Sequence, residues 1–269
     1  MNLFVAHLRK LIRRPASFIS LGLLIGLLAL IFLAIGATAR QASAAEGGEA
    51  ALLLVTFPVA YTLIISFILG LGGLFAVIYG AAVAGSEWTW GTLKSAVARG
   101  ESRSRYQLAL FAAIALLIGI GLLVAFVVGV ALAVVGAWLA SVSTSGLSDA
   151  TALGRLPELL ARAWLAVVEQ GAIGFAIATL ARSQLAGIGA GIALYFAEQF
   201  ASIFVPDVVK YLPFDAASAV VAVTGEGFGG GGQFAAHLEP NTALLVVTAW
   251  LIGSLVVAAL FTERAEISG

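Results

Sequence analysis

The chain has 269 residues, of which 61% are hydrophobic and 10% charged, and its fourteen Lys and Arg balance fourteen Asp and Glu. Soluble domains carry about 45–50% apolar and about 25% charged residues, so a mean hydropathy of +1.08 excludes a soluble enzyme and predicts an all-α membrane protein. Cysteine is absent, which removes disulfide frameworks and thiolate metal sites.

Residues 1–16 form the first predicted element. Phe4, Leu8, Leu11 and Ile12 fall on one helical face, and His7, Arg9, Lys10, Arg13 and Arg14 occupy the rest. That pattern predicts an interfacial helix with its arginines among lipid phosphates, followed by a turn at Pro15. His7 reads as a polar residue at the membrane surface. It stands far from His237, the other histidine, so no metal site is expected.

A helix needs about 20 apolar residues to cross about 30 Å of hydrocarbon, and six segments qualify. The predicted transmembrane helices run over 17–39, 52–84, 107–140, 156–181, 184–205 and 242–261, in one transmembrane domain spanning 1–269. Ala37-Thr38-Ala39 resembles a signal-peptide cleavage site, but the preceding apolar run is too long for a signal core and is expected to be retained. The second run carries Pro58 and a glycine cluster at Gly70, Gly72 and Gly73. Gly22-xxx-Gly26 and Gly187-xxx-Gly191 match a close-packing pattern, which indicates nothing about a dimer in so glycine-rich a chain.

Placing both termini in the cytoplasm puts ten of the fourteen basic residues inside: Arg9, Lys10, Arg13, Arg14, Lys94, Arg99, Arg103, Arg105, Arg182 and Arg264. Arg40, Arg155, Arg162 and Lys210 fall outside. The positive-inside rule therefore predicts a multi-pass protein of the cell's inner membrane with residues 85–106 cytoplasmic. The outer loop 206–241 is apolar enough over 210–214 and 216–223 to re-enter the membrane. Gly225, Gly227 and Gly229 to Gly232 read as a hinge, since no Lys-Ser/Thr follows as in a phosphate-binding loop.

The 85–106 island reads GSEWTWGTLKSAVARGESRSRY. Ser86 is positioned to cap a short helix with Glu87 in its first turn. Gly91 interrupts that helix, Gly100 ends it, and Ser102 caps the next. Trp88 and Trp90 are expected at the interface. Alone, the segment could be an ordinary solvated loop.

Its residue order, Gly85-Ser86-Glu87-x-x-x-Gly91-Thr92-Leu93-Lys94 and then Arg99-Gly100-x-Ser102-Arg103-x-Arg105, resembles the loop after the second span of type-two ABC transporter permeases. Lys210-Tyr211-Leu212-Pro213-Phe214 is similar to that family's segment before its re-entrant helices. Members often carry a lysine several residues past the paired arginines, where this chain has Leu110. The resemblance implies a non-catalytic permease subunit of an exporter. The island would be the coupling helix, with Glu87, Gly91, Thr92, Lys94, Arg103 and Arg105 at the docking element for a soluble ABC ATPase. ATP and Mg would be held by that partner, because no Walker sequence occurs here. A second permease copy, most simply a homodimer, and a lipid-like or amphipathic cargo are also implied; no nucleic-acid partner is expected.

Polar residues within spans complete the reading. Tyr195, Glu198, Gln199 and Ser202 share one face of the fifth span, and Thr62 and Ser66 share a stripe of the second, beside Tyr61. The family's pathway lies between these spans, so both stripes are candidates for its lining. Glu169 and Gln170, with Glu158 and Arg162 before them, suggest an intramembrane polar network. A proton- or ion-coupled secondary transporter using Glu169 and Glu198, or a non-transporting scaffold of a biogenesis complex, are the competing functions.

Overall fold

The computed structural model describes residues 3–42, 52–221 and 238–265, so the glycines at 225–232 and His237 lie outside the described residues. Every regular element among the described residues is helical. In chain order they are α1 (Leu3–Ile12), α2 (Pro15–Ala42), α3 (Val59–Phe67), a π-helical turn (Ile68–Gly72) and α4 (Gly73–Thr89). There follow α5 (Thr92–Ala98), α6 (Arg103–Ala140), a 3-10 turn (Ser145–Ser148), α7 (Ala150–Ala181) and α8 (Gln184–Ala201). The chain closes with α9 (Pro206–Val209), α10 (Pro213–Ala219) and α11 (Pro240–Arg264).

Among the described residues, five helices are long and apolar enough to cross a membrane: Pro15–Thr38, Val59–Thr89, Arg103–Ala140, Ala150–Ala181 and Pro240–Arg264. The protein is therefore an all-α, multi-pass membrane protein. The predicted span at 184–205 yields a helix of 18 residues, diluted by Gln184, Glu198 and Gln199, and does not meet that standard. At 38 residues, α6 is about 57 Å long and outreaches the hydrocarbon. Asp149 starts α7 six residues before the predicted boundary, its side chain accepting the Ala152 N–H at 2.8 Å.

In lipid, helices associate through close packing rather than hydrophobic drive, and glycines set the approach here. A Cβ on Gly80 would lie 2.1 Å from the Gly171 carbonyl oxygen, and one on Gly174 would lie 2.0 Å from that of Val77. These contacts lay α4 along α7, the central pair of the bundle. A second crossing joins α2 to α6, where a Cβ on Gly36 would meet the Gly136 carbonyl at 2.7 Å. Gly187 and Gly191 pack against Ala178 and Val77, whereas Gly22 and Gly26 meet nothing within 4 Å. The outer faces of α2, α6, α8 and α11 carry exposed Leu30, Val127, Leu185, Phe196, Phe200 and Leu245, as lipid-facing helices do.

Two predicted local features change. The helix expected to begin at Ser86 does not: α4 runs unbroken through Ser86 and Glu87 to Thr89, and both side chains are buried. The break falls at Gly91, whose φ of +65° is a left-handed conformation that suits glycine. The loop helix α5 starts there and ends before Gly100, φ +89°. Ser102 does sit at the N-cap of α6, but its side chain makes no capping bond.

Candidate functional site

At the basic end of the bundle, four segments converge on one carboxylate. Glu87 is fully buried, and Lys10 of α1 donates to its Oε1 at 2.6 Å. Arg14 lies 3.5 Å from the same oxygen and donates to Ser86 Oγ at 2.9 Å. The Tyr106 hydroxyl of α6 donates to Glu87 Oε2 at 2.6 Å, and Thr92 in the first turn of α5 donates to that oxygen as well. A buried carboxylate is tolerable only when paired and hydrogen-bonded, and both conditions hold. Glu87 therefore fastens α5 to α4, α6 and α1.

The remaining predicted docking residues divide by exposure. Lys94 and Arg105 are exposed, as are Arg99 and Trp90, and the Arg14 guanidinium stacks 5.0 Å from the Trp90 ring centroid. Arg103 turns inward and donates to the Glu263 and Ala265 carbonyls at 2.9 and 2.7 Å, completing the C-terminal end of α11 as a cation does. Glu87 and Thr92 hold α5 rather than face outward; the outward surface is Trp90, Lys94, Arg99 and Arg105. Trp88 is half-buried, stacked edge-on with Phe261 and facing the Arg182 guanidinium.

Helix α1 is also docked differently from its predicted pattern. Leu11 is buried, Phe4 and Leu8 pack on the same apolar cluster, and Ile12 is exposed. His7 is buried, with its ring edge-on to Tyr106 at 4.6 Å. Burial pushes His7 below its ordinary value; the Glu87 carboxylate opposes that shift and Lys10 adds to it. No local pattern in the sequence pairs Tyr106, Lys10 or Arg14 with Glu87. The available signal was the i, i+4 spacing of Lys10 and Arg14, which puts two cations on one face of α1.

The predicted pathway and network residues fall into two places. At the other end, Tyr61, Thr62, Arg155, Glu158, Arg162 and Asn241 line a cleft of about 750 Å³. Arg162 pairs there with Glu158 at 2.6 Å and donates to Asn241 at 3.1 Å. It lies seven residues from Glu169, about 10 Å along the helix, so the predicted network of Arg162 with Glu169 and Gln170 does not form. Tyr61 donates to the Leu147 carbonyl at 2.7 Å, and Ser66 is half-buried one turn deeper.

Deeper in the bundle, side chains from two helices reach backbone carbonyls of the π-helical turn. Gln170 of α7 donates to the Leu69 carbonyl at 3.4 Å, and Tyr195 of α8 donates to that of Gly70 at 3.3 Å. Only glycine at 73 leaves room for the Gln170 amide, since a Cβ there would lie 1.7 Å from its Oε1. One turn beyond Tyr195, Glu198 Oε1 accepts the Asp215 N–H at 2.6 Å and so ties α8 to α10, which is buried along its length. Gln199 and Ser202 are half-buried, the Ser202 hydroxyl donating to the Gln199 carbonyl at 2.7 Å. The two predicted stripes thus meet at Gly70 rather than along their lengths.

No protein-family model matches the chain, and no curated protein matches it.

Proposed function

We propose that this protein is the membrane-spanning subunit of an ATP-driven exporter of the kind its 85–106 segment resembles, with two copies joined to two soluble ABC ATPase subunits. In this reading the basic end and both termini are cytoplasmic, and α8 makes the sixth crossing of the cell's inner membrane. Eighteen residues give about 27 Å of helix, close to the hydrocarbon thickness, with α9 and α10 as the re-entrant pair behind it. The partner holds ATP and Mg, and this chain does no chemistry.

The observation that carries the reading is the Glu87 clamp. Seven residues of α5 are too few to stand as an independent helix, yet their first turn is tied through one buried carboxylate to two spans and α1. A push on Trp90, Lys94 or Arg99 is therefore delivered to α4 and α6 together. The π-helical turn midway along the second span, two of whose carbonyls accept side chains from α7 and α8, gives that push a place to become a tilt. Alternating access follows if closure of the ATPase pair moves both α5 helices. The apolar bundle suits an amphipathic or lipid-like cargo.

Copurification in mild detergent tests this directly: a stoichiometric soluble ATPase is expected. Gly91→Val strains the left-handed joint and should leave basal ATP hydrolysis intact while uncoupling it from transport. Absence of an ATPase, with transport driven by an ion gradient, would favour the secondary-transporter reading that the buried Glu169 and Glu198 support.

A further inference from the structure

The cluster beside the π-helical turn has a hydrogen-bond imbalance. Glu169, Gln170 and Glu198 are all at least nine-tenths buried. Four of their oxygens, both of Glu169, Oε1 of Gln170 and Oε2 of Glu198, have no hydrogen-bond partner. All four are acceptors when the glutamates are ionised, so the site offers acceptors and lacks donors.

Three relations place these groups together. Gln170 and Tyr195 reach the adjacent carbonyls of Leu69 and Gly70, which brings α7 and α8 to one point of the second span. Counted from the turn at Arg182, Glu169 lies thirteen residues back and Glu198 sixteen on, so along these packed neighbours their depths differ by about 4–5 Å. Ile173, one turn from Glu169 on the same face, packs with Phe214, the residue before the Asp215 N–H that Glu198 binds.

Among the described residues, the charges facing the cluster are of one sign. Asp215 of α10 is buried, and Tyr195 of α8 is a further titratable neighbour. No Lys or Arg occurs in α3, the π-helical turn or α4, in α7 beyond Arg162, in α8, in α10, or in α11 before Arg264. Leaving buried carboxylates ionised without a cation carries a large desolvation penalty. Among the described residues, no group of three or more His, Asp or Glu side chains is placed to hold a metal ion.

We infer that Glu169 and Glu198, with Gln170 between them and the π-helical turn, form a buried proton-binding site. One proton on each glutamate converts four orphan acceptors into two donors and two acceptors, which balances the cluster without any further ligand. Opening the site to water releases those protons, so any movement that draws α10 away from Glu198 is linked to proton release. The site stands apart from the Glu87 clamp and does not depend on an ATPase partner.

Infrared spectroscopy of the full chain in lipid vesicles tests this. At neutral pH the wild-type protein should show the C=O band of a protonated carboxyl in an apolar setting, shifting in heavy water. The band should weaken in Glu169→Gln and in Glu198→Gln and vanish in the double variant. The wild-type measurement needs no substitution, so a folding defect in a variant does not blunt it. Absence of the band at neutral pH overturns the inference. So does a band untouched by both substitutions, or one abolished by sodium or potassium chloride, which would mean that a cation occupies the site.

Discussion

Two buried acidic centres of this bundle are built in opposite ways. Glu87 at the basic end has Lys10, Arg14, Thr92 and Tyr106 around it, so its burial is compensated on every side. Glu169 has no hydrogen-bond partner on either oxygen, and Glu198 has one partnered oxygen. A carboxylate surrounded by donors is a fastener: it holds segments and gains nothing from a ligand. Buried acceptors without donors are unfinished, and something from outside the chain must complete them. The contrast separates a mechanical role from a binding role without reference to any relative.

The largest expected effect is at the fastener. Glu87→Gln should cost about 2–3 kcal/mol, below the about 3–5 kcal/mol of a fully buried pair, because the Lys10 side chain keeps 31% of its surface in solvent. Thermal unfolding in detergent would register it, together with easier tryptic cleavage within α1. A neutral result would show that Glu87 clamps nothing. Tyr106→Phe removes one hydroxyl bond to the carboxylate and should cost about 1.5 kcal/mol by the same measurement.

Next comes pH. The folded state resists protonating His7, whose value lies below the ordinary 6.5. The unfolded chain binds that proton first, so the docking of α1 is intact above about 6.5 and weakens as pH falls through the lowered folded value. Tryptic cleavage in α1 should rise over that window in wild type and stay flat in His7→Phe; identical profiles would contradict the burial argument. The smallest effect belongs to Glu169→Gln. A neutral acid and an amide have nearly the same shape, so stability should change by under about 1 kcal/mol. A gain of several kcal/mol would reveal that the carboxylate had been charged, and the contrast between the two centres would fail.

Much of this molecule was legible in its sequence. Runs such as 107–140 have no competing structure in lipid, and Gly100 marks the end of α5 as written. The glycines at 70, 72 and 73 pointed to an irregular second span, though not to a π-helical turn, since that depends on Gln170 and Tyr195 reaching in from other helices. Ser86 and Glu87 misled because polar residues after an apolar run read as its end. They continue the helix because Lys10, 77 residues away, and Arg14, 72 residues from Ser86, satisfy them, and no local pattern encodes that distance. The expectation for Arg162 failed for a related reason: i, i+4 spacing ties it to Glu158, toward the helix end and away from Glu169.

The proposed docking of a soluble ATPase on α5 can be probed cleanly because the chain has no cysteine. A single thiol introduced by Lys94→Cys, treated with a thiol-directed crosslinker in native membranes, should join the protein to a nucleotide-hydrolysing soluble subunit. Thr151→Cys at the opposite end of the bundle should give no such product. Crosslinking of that ATPase from position 151, or none from position 94 in membranes where transport runs, would contradict the account.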